Sequence, residues 1–230
     1  MCGRYFLVSP PETLQRALGI ARLPKDLRPR YNIAPLQRVP VIVSHRGERV
    51  LGLIRWGLTP AWAPSDEDAV RNINARSETV AEKPSFRDAF RLRRCLVPAD
   101  GFYEWRRNTG GSRTPMAVRP ATAAPIAFAG LWERWRAPGG EEVTSCVILT
   151  REAADEIRAI HDRMPVILDE AAQRVWLDPE ATPEQLEALL RGEAPPLQAY
   201  AVSGLVNAVR NDLPDCLLPV DDRPEPDLFG

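Results

Sequence analysis

Four side chains able to move a proton, attack a carbon or orient a backbone stand in polar or turn-like settings: Cys2 in MCGRY, Asn74 in NARSET, Glu104 in FYEW and His161 in HDRMP. Cys2 directly follows the initiator methionine. Methionine aminopeptidases generally remove Met1 ahead of a small residue, and cysteine qualifies. The new terminus then carries an amine and a thiol on neighbouring carbons. A free α-amine titrates near about 8 and a thiol near about 8.5, so usable fractions of both nucleophiles are expected at neutral pH. Such a 1,2-aminothiol has one distinctive reaction. Its amine condenses with an aldehyde to an imine, and its thiol closes a five-membered thiazolidine ring.

The other three residues each carry a plain structural alternative. Glu104 lies between Tyr103 and Trp105. A carboxyl hemmed by aromatics is pushed up in pKa and can act as acid or base near neutrality; the same residue fits an exposed site on an alternating strand. His161 and His45 are the only histidines. His161 follows EAADEIRAI and can be read as a proton donor or as a helix C-cap. Asn74 belongs to RNINARSETVAEKPSF, a stretch dense in polar groups that are costly to bury unpartnered. That stretch reads as a pocket wall with Arg76 and Lys83 facing phosphates, or as a helix start capped by Ser77.

Composition narrows the partner. Among 230 residues, 30 are Lys or Arg and 31 are Asp or Glu. Residues 1–120 hold 21 Lys and Arg against 11 Asp and Glu, whereas 121–230 hold 9 against 20. Only Lys25 and Lys83 are lysines. Arginine grips phosphate bidentately and stacks on planar groups, so a basic half suggests a polyanion; alternatively, the two halves pair with each other. RYNIAP and RWGLTPAWAP interleave arginine, aromatics and proline, which suits stacking on unpaired bases or core aromatics at strand ends. An aldehyde on a polyanion is the ring-opened sugar of an abasic site in DNA.

Several classes are set aside. The cysteines at 2, 95, 146 and 216 show no CxxC spacing and no histidine cluster, so neither a zinc site nor a disulfide framework is expected. Cys95 and Cys146 sit in apolar runs and read as core. No stretch nears about 18 apolar residues, and the N-terminus has no basic region followed by an apolar one. The expected setting is cytoplasmic, without a membrane partner, metal or cofactor.

The elements that must position these residues are short. PPETLQRALG reads as a helix ended by glycine, and TPEQLEALLRG as a capped one. RVPVIVS and RVLGLIRW flank HRGE as a hairpin. RRCLVPADGFYEW reads as strand, turn, strand, and MAVRP, APIAFAGLWERW and EEVTSCVILT as further antiparallel strands. EAADEIRAIH has the pattern of an amphipathic helix. With no linker, the expectation is one α+β domain over 2–220, mostly antiparallel, and a frayed tail over 221–230.

The ordered set MCGRY, RYNIAP, WGLTPAW, NARSET, RCLVPADGFYEW and HDRMPVIL resembles the SOS response-associated peptidase (SRAP) family, whose members crosslink to abasic sites. The motifs run from residue 2 to about 168, and the pattern continues through VSGLVNAVRN. The resemblance implies a largely antiparallel β pseudo-barrel with a few peripheral helices and a positive groove for single-stranded DNA. It implies that Cys2 crosslinks, that Asn74 holds the Cys2 backbone or the sugar, and that Glu104 serves imine formation and ring closure. It implies that His161 protonates the sugar ring oxygen and that Arg4, Arg76 and Arg163 clamp phosphates. Pro35, Trp56, Trp105 and Thr150 would line the channel. It further implies abasic-site lyase activity, self-processing of Met1, action as a monomer, and nucleoid association when DNA is bound.

Two other readings use the same residues. N-terminal-nucleophile amidotransferases also begin Met-Cys-Gly and use the unmasked cysteine for acyl transfer, but no glutamine-binding motif follows here. A non-covalent single-stranded DNA reader would keep its function in Cys2→Ala.

Overall fold

The structure, a computed structural model, describes residues 2–221. Its strands are β1 Arg4–Leu7, β2 Ile20–Arg22, β3 Arg30–Ile33, β4 Arg38–His45, β5 Glu48–Trp56, β6 Asn74–Arg76, β7 Arg94–Ala99, β8 Gly101–Arg107, β9 Arg113–Pro120, β10 Ile126–Arg136, β11 Glu142–Glu152, β12 Arg163–Pro165, β13 Ile167–Leu168 and β14 Leu197–Ala201. The α-helices are α1 Pro11–Leu18, α2 Arg87–Leu92, α3 Asp155–Arg158, α4 Glu170–Leu177 and α5 Pro183–Arg191.

Strands β11, β10, β7, β4 and β5 hydrogen-bond in that order, and β5 returns to β11 through a parallel pairing at Ser145–Arg55 and Cys146–Trp56. The result is a closed barrel, which removes the unpaired edges an open sheet would carry. Ile42, Leu96, Val97, Phe128, Val147 and other fully buried apolar side chains on its two faces belong to one hydrophobic core. A second sheet runs β14-β9-β8-β1-β3. It packs Phe102 and Tyr5 edge-on against Phe128 of the barrel. This is the expected α+β pseudo-barrel with peripheral helices.

Local sequence chemistry accounts for many boundaries. Pro11 stands at the start of α1, and Gly19 takes the left-handed conformation (φ 61°) that ends it. Thr182 and Gln185 form a capping box on α5. The HRGE hairpin turn falls between β4 and β5 as expected.

Other expectations are corrected. The strand, turn and strand expected of RRCLVPADGFYEW form, yet the two strands do not pair with each other: β7 belongs to the barrel and β8 to the second sheet, with Asp100 at the corner between them. Asp100 accepts from the backbone N–H groups of Val8 and Ser9 and from the Ser9 hydroxyl, each at 2.6 Å. EAADEIRAIH forms only the single turn α3. The N–H of Ala153 bonds to Asp162 O, so the chain at the start of that segment is committed to a loop closure rather than a helix. NARSET starts no capped helix, because Asn74, Ala75 and Arg76 pair in parallel with β11. Helices α2 and α4 were not anticipated. Of the expected tail, 222–230 lies outside the described residues. Cross-half ion pairs exist, Arg30 with Asp212 and Arg93 with Glu133, so part of the charge asymmetry is neutralised internally.

Candidate active site

Strand β1 brings the N-terminus alongside β8, with Arg4 opposite Tyr103 and Tyr5 opposite Phe102. Continuing that antiparallel register carries Cys2 and Gly3 toward Glu104 and Trp105. From the other side, β6 lies on β11 and presents Asn74. The Asn74 side chain donates through Nδ2 to the Cys2 carbonyl at 2.8 Å. This contact fixes the amide orientation and leaves Asn74 Oδ1 as an acceptor, buried and without a hydrogen-bond partner among the described residues.

Cys2 is fully buried, with Sγ 3.8 Å from Arg4 O. Burial pushes its thiol well above the usual range, and the nearby Glu104 carboxylate pushes it further. The usable thiolate fraction expected at neutral pH belongs to a terminus freed of Met1; in the chain that carries Met1, burial works against it. Glu104 is only 4% exposed. Burial raises its pKa, and the electrostatic influence of His161 partly offsets that rise. Cys2, Asn74, Glu104 and His161, scattered over 160 positions, are thus brought into one neighbourhood.

His161 follows α3, beyond the last helical residue. Its Nδ1 accepts the backbone N–H of Arg163 at 2.9 Å and also lies 2.8 Å from Asp162 Oδ1. One nitrogen cannot both accept and donate. The bond to the Arg163 N–H prevails, because Asp162 is 83% exposed and can satisfy its carboxylate with water. That choice leaves Nε2 as the proton-bearing nitrogen of the neutral ring.

Glu104, Trp105, Arg107, Arg113, Arg158 and His161 are among the residues that line one cleft of about 590 Å³. Size alone does not single it out, since clefts of about 560 and 620 Å³ lie elsewhere; the titratable residues do. No three His, Cys, Asp or Glu side chains among the described residues converge as a metal site.

The remaining expected residues divide sharply. Trp105 is half-buried in the cleft wall. The Arg4 guanidinium sits 5.9 Å from its ring centroid, and its Nε1 donates to Asn207 Oδ1 at 2.7 Å. Arg4 is itself committed to Asn32 Oδ1 at 2.8 Å and to the carbonyls of Val206 and Asn207. Arg163 makes a bidentate pair with Glu78 at 2.6 and 2.9 Å and donates to Thr150 O. Both arginines are internal braces here rather than open phosphate clamps. Arg76 and Lys83 are exposed, and Pro35 is partly exposed. Trp56 and Thr150 are fully buried, so neither offers a surface to a ligand. Trp56 instead donates to Ile73 O and packs edge-on against Tyr5. The tryptophan of WGLTPAW that faces solvent is Trp62, 61% exposed.

Sequence reasoning missed Asn32, Asn207, Arg107, Arg113 and Arg158. Asn32 had a signal: an amide inside the apolar strand RYNI must find partners. It donates to the carbonyls of Val206, Ala208 and Asn211, which pins the C-terminal segment to β3.

Known proteins share this arrangement of chain. A crystal structure from Bacteroides thetaiotaomicron superposes with a TM-score of 0.82 at 27% identity, covering 95% of this chain and 100% of that one. A phage-related protein from Bordetella bronchiseptica gives a TM-score of 0.71 at 30% identity over 87% of this chain and 94% of that one. The abasic site processing protein YoqW of Bacillus subtilis is 40% identical over 221 residues, 94% of this chain and 99% of that protein. The abasic site processing protein HMCES of Gallus gallus is 32% identical over 263 residues, 96% of this chain and 78% of that protein. The family model described as SOS response associated peptidase (SRAP) matches residues 1–209. With the motifs, the barrel and relatives along nearly its whole length in agreement, the chain belongs to the SRAP family.

Proposed function

We propose that this protein recognises abasic sites in single-stranded DNA and, once Met1 is removed, joins them covalently through Cys2 as a thiazolidine. The joined lesion is shielded from cleavage and error-prone copying. The observation that carries the reading is the shared neighbourhood of a buried Cys2, a carboxyl raised by burial at Glu104, and His161, with the Cys2 carbonyl held by Asn74. The relatives named as abasic site processing proteins support the substrate class.

The atoms balance as follows. His161 Nε2 supplies a proton to the sugar ring oxygen while the anomeric hydroxyl passes its own to the Glu104 carboxylate, opening the ring to the aldehyde and leaving Glu104 protonated; the imidazole regains its proton from water. The Cys2 amine adds to the aldehyde carbon, and Glu104 in its protonated form assists departure of water to leave the imine. The thiol then adds across the C=N bond: sulfur bonds to carbon, and the thiol proton reaches nitrogen by way of the Glu104 carboxylate. The net change is loss of one water. Because burial favours the protonated thiol, the nearby carboxylate offers a route for this last transfer.

In this reading residues 2–220 act as a single monomeric domain in the cytoplasm and at the nucleoid, with no cofactor. Lyase chemistry follows if the imine undergoes β-elimination before the thiol closes the ring. Peptidase chemistry is confined to removal of Met1.

Intact mass spectrometry tests the proposal. The wild-type protein lacking Met1, mixed with a single-stranded oligonucleotide bearing one abasic site, gains the oligonucleotide mass less one water. Cys2→Ala forms no such stable adduct. Absence of an adduct from protein shown to lack Met1 would overturn it.

A further inference from the structure

Strands β8 and β9 place Arg107 directly opposite Arg113 at the mouth of the cleft. Like charges facing each other across an antiparallel pair destabilise the sheet. Neither guanidinium has a hydrogen bond or ion pair to any described residue, and both side chains are exposed. The hairpin that forces them together is tight: Asn108 N–H bonds to Ser112 O, and Gly110 and Gly111 both take positive φ. Across the cleft stands Arg158, 63% exposed and held at 3.2 Å to an Asp155 that is itself 95% exposed. The mouth therefore carries three cations, and the acidic residues of its lining are Glu104 on the floor and the exposed Asp162. By contrast, Arg4 and Arg163, deeper in the fold, already hold internal partners through their terminal nitrogens.

We propose that Arg107 and Arg113, with Arg158 opposite, form the phosphate-binding mouth of this cleft and take the backbone of the strand as it enters. The inference rests on the abasic-DNA reading and deepens it by assigning the anion contacts to the β8–β9 hairpin. The repulsion between the paired arginines is relieved when a phosphodiester lies between them. The free protein thus keeps a locally unfavourable charge pair that its ligand neutralises.

The two roles a surface arginine can have are separable here. If Arg113 were structural, its replacement would lower stability. If it belongs to a ligand site built at the expense of the sheet, Arg113→Glu creates a cross-strand ion pair with Arg107, so it raises the thermal midpoint while weakening binding. The experiment compares wild type, Arg113→Glu and the double variant Arg107→Gln/Arg113→Gln, all lacking Met1. Crosslinking rate is followed against concentration of the abasic oligonucleotide at several salt concentrations.

In the double variant, half-saturation is expected to rise about tenfold near physiological salt with the rate at saturation unchanged, and the slope of log affinity on log salt to shrink by about 1.4, from about 0.7 per lost contact on single strands. An unchanged salt slope, or a lower midpoint in Arg113→Glu, would overturn the assignment. Two controls separate its failure from that of the abasic-DNA reading. Anisotropy with an intact single strand reads the mouth without chemistry: a reduced slope there upholds the assignment even if no crosslink ever forms. Glycolaldehyde, which has no phosphate, should react with Cys2 equally in all three proteins. A loss of that reaction in the double variant would mean the substitutions disturb the reacting groups, and the mouth assignment would fall.

Discussion

The side-chain amide of Asn74 donates a 2.8 Å hydrogen bond to the carbonyl of Cys2. The bond ties a residue on β6 to the second residue of the chain, and so links the strand that lies on β11 to the N-terminus. Replacing Asn74 with alanine leaves a buried carbonyl unpaired, a loss of about 1–3 kcal/mol in positioning. Asn74→Ala is expected to form the abasic-site adduct roughly tenfold to a hundredfold more slowly, with its circular dichroism spectrum unchanged. Rapid-quench measurement of adduct against time checks this; an unaltered rate would show the bond to be incidental.

Glu104 is raised in pKa chiefly by burial. A carboxyl raised in the folded state favours the fold fully below its unfolded value, taken as 4.5, and loses that contribution as pH climbs through the raised value. The wild type should therefore lose thermal stability over that window relative to Glu104→Gln, which cannot ionise. The two midpoints should lie closest near pH 4 and diverge toward neutrality, with the glutamine variant higher. The adduct rate should fall in the variant at every pH. Parallel midpoint curves would contradict the burial account.

Gly101 starts β8 immediately after the corner. A Cβ there would run into the carbonyl oxygen of Val118 and the ring of Phe6. The obstacle on one side is backbone of the neighbouring strand, which cannot swing aside. Gly101→Ala is expected to lose about 3 kcal/mol or more, in the upper range of overpacking changes. Urea unfolding at constant slope measures it.

Asn32 is fully buried and connects Arg4 with three carbonyls of the C-terminal segment. Asn32→Leu strands those groups at about 1–3 kcal/mol for each one that water does not reach. The expected outcome is a loss of roughly 3 kcal/mol, together with faster hydrogen exchange around 206–211. Because Arg4 also stacks on Trp105, the tryptophan fluorescence should shift as the Trp105 environment opens.

Sequence by itself determined the elements whose signals are local. The αL glycine after α1, the Thr182–Gln185 box and the β4–β5 turn are written in adjacent residues. The candidate site residues were legible for a chemical reason: a cysteine at position 2, a carboxyl between aromatics and one of only two histidines are uncommon in kind wherever the chain takes them. The tertiary structure decided what depends on distant partners. It turned NARSET into a parallel strand on β11, because the barrel offered a row of backbone groups that a local cap could not match. It moved Trp56 into the core and left Trp62 outside. It committed Arg4 and Arg163 to internal acceptors and left the β8–β9 arginines at the cleft mouth, since a guanidinium's availability depends on what folds against it. It also pushed the Cys2 thiol up in pKa, because the loss of solvent that raises it exists only once the sheets have closed around it.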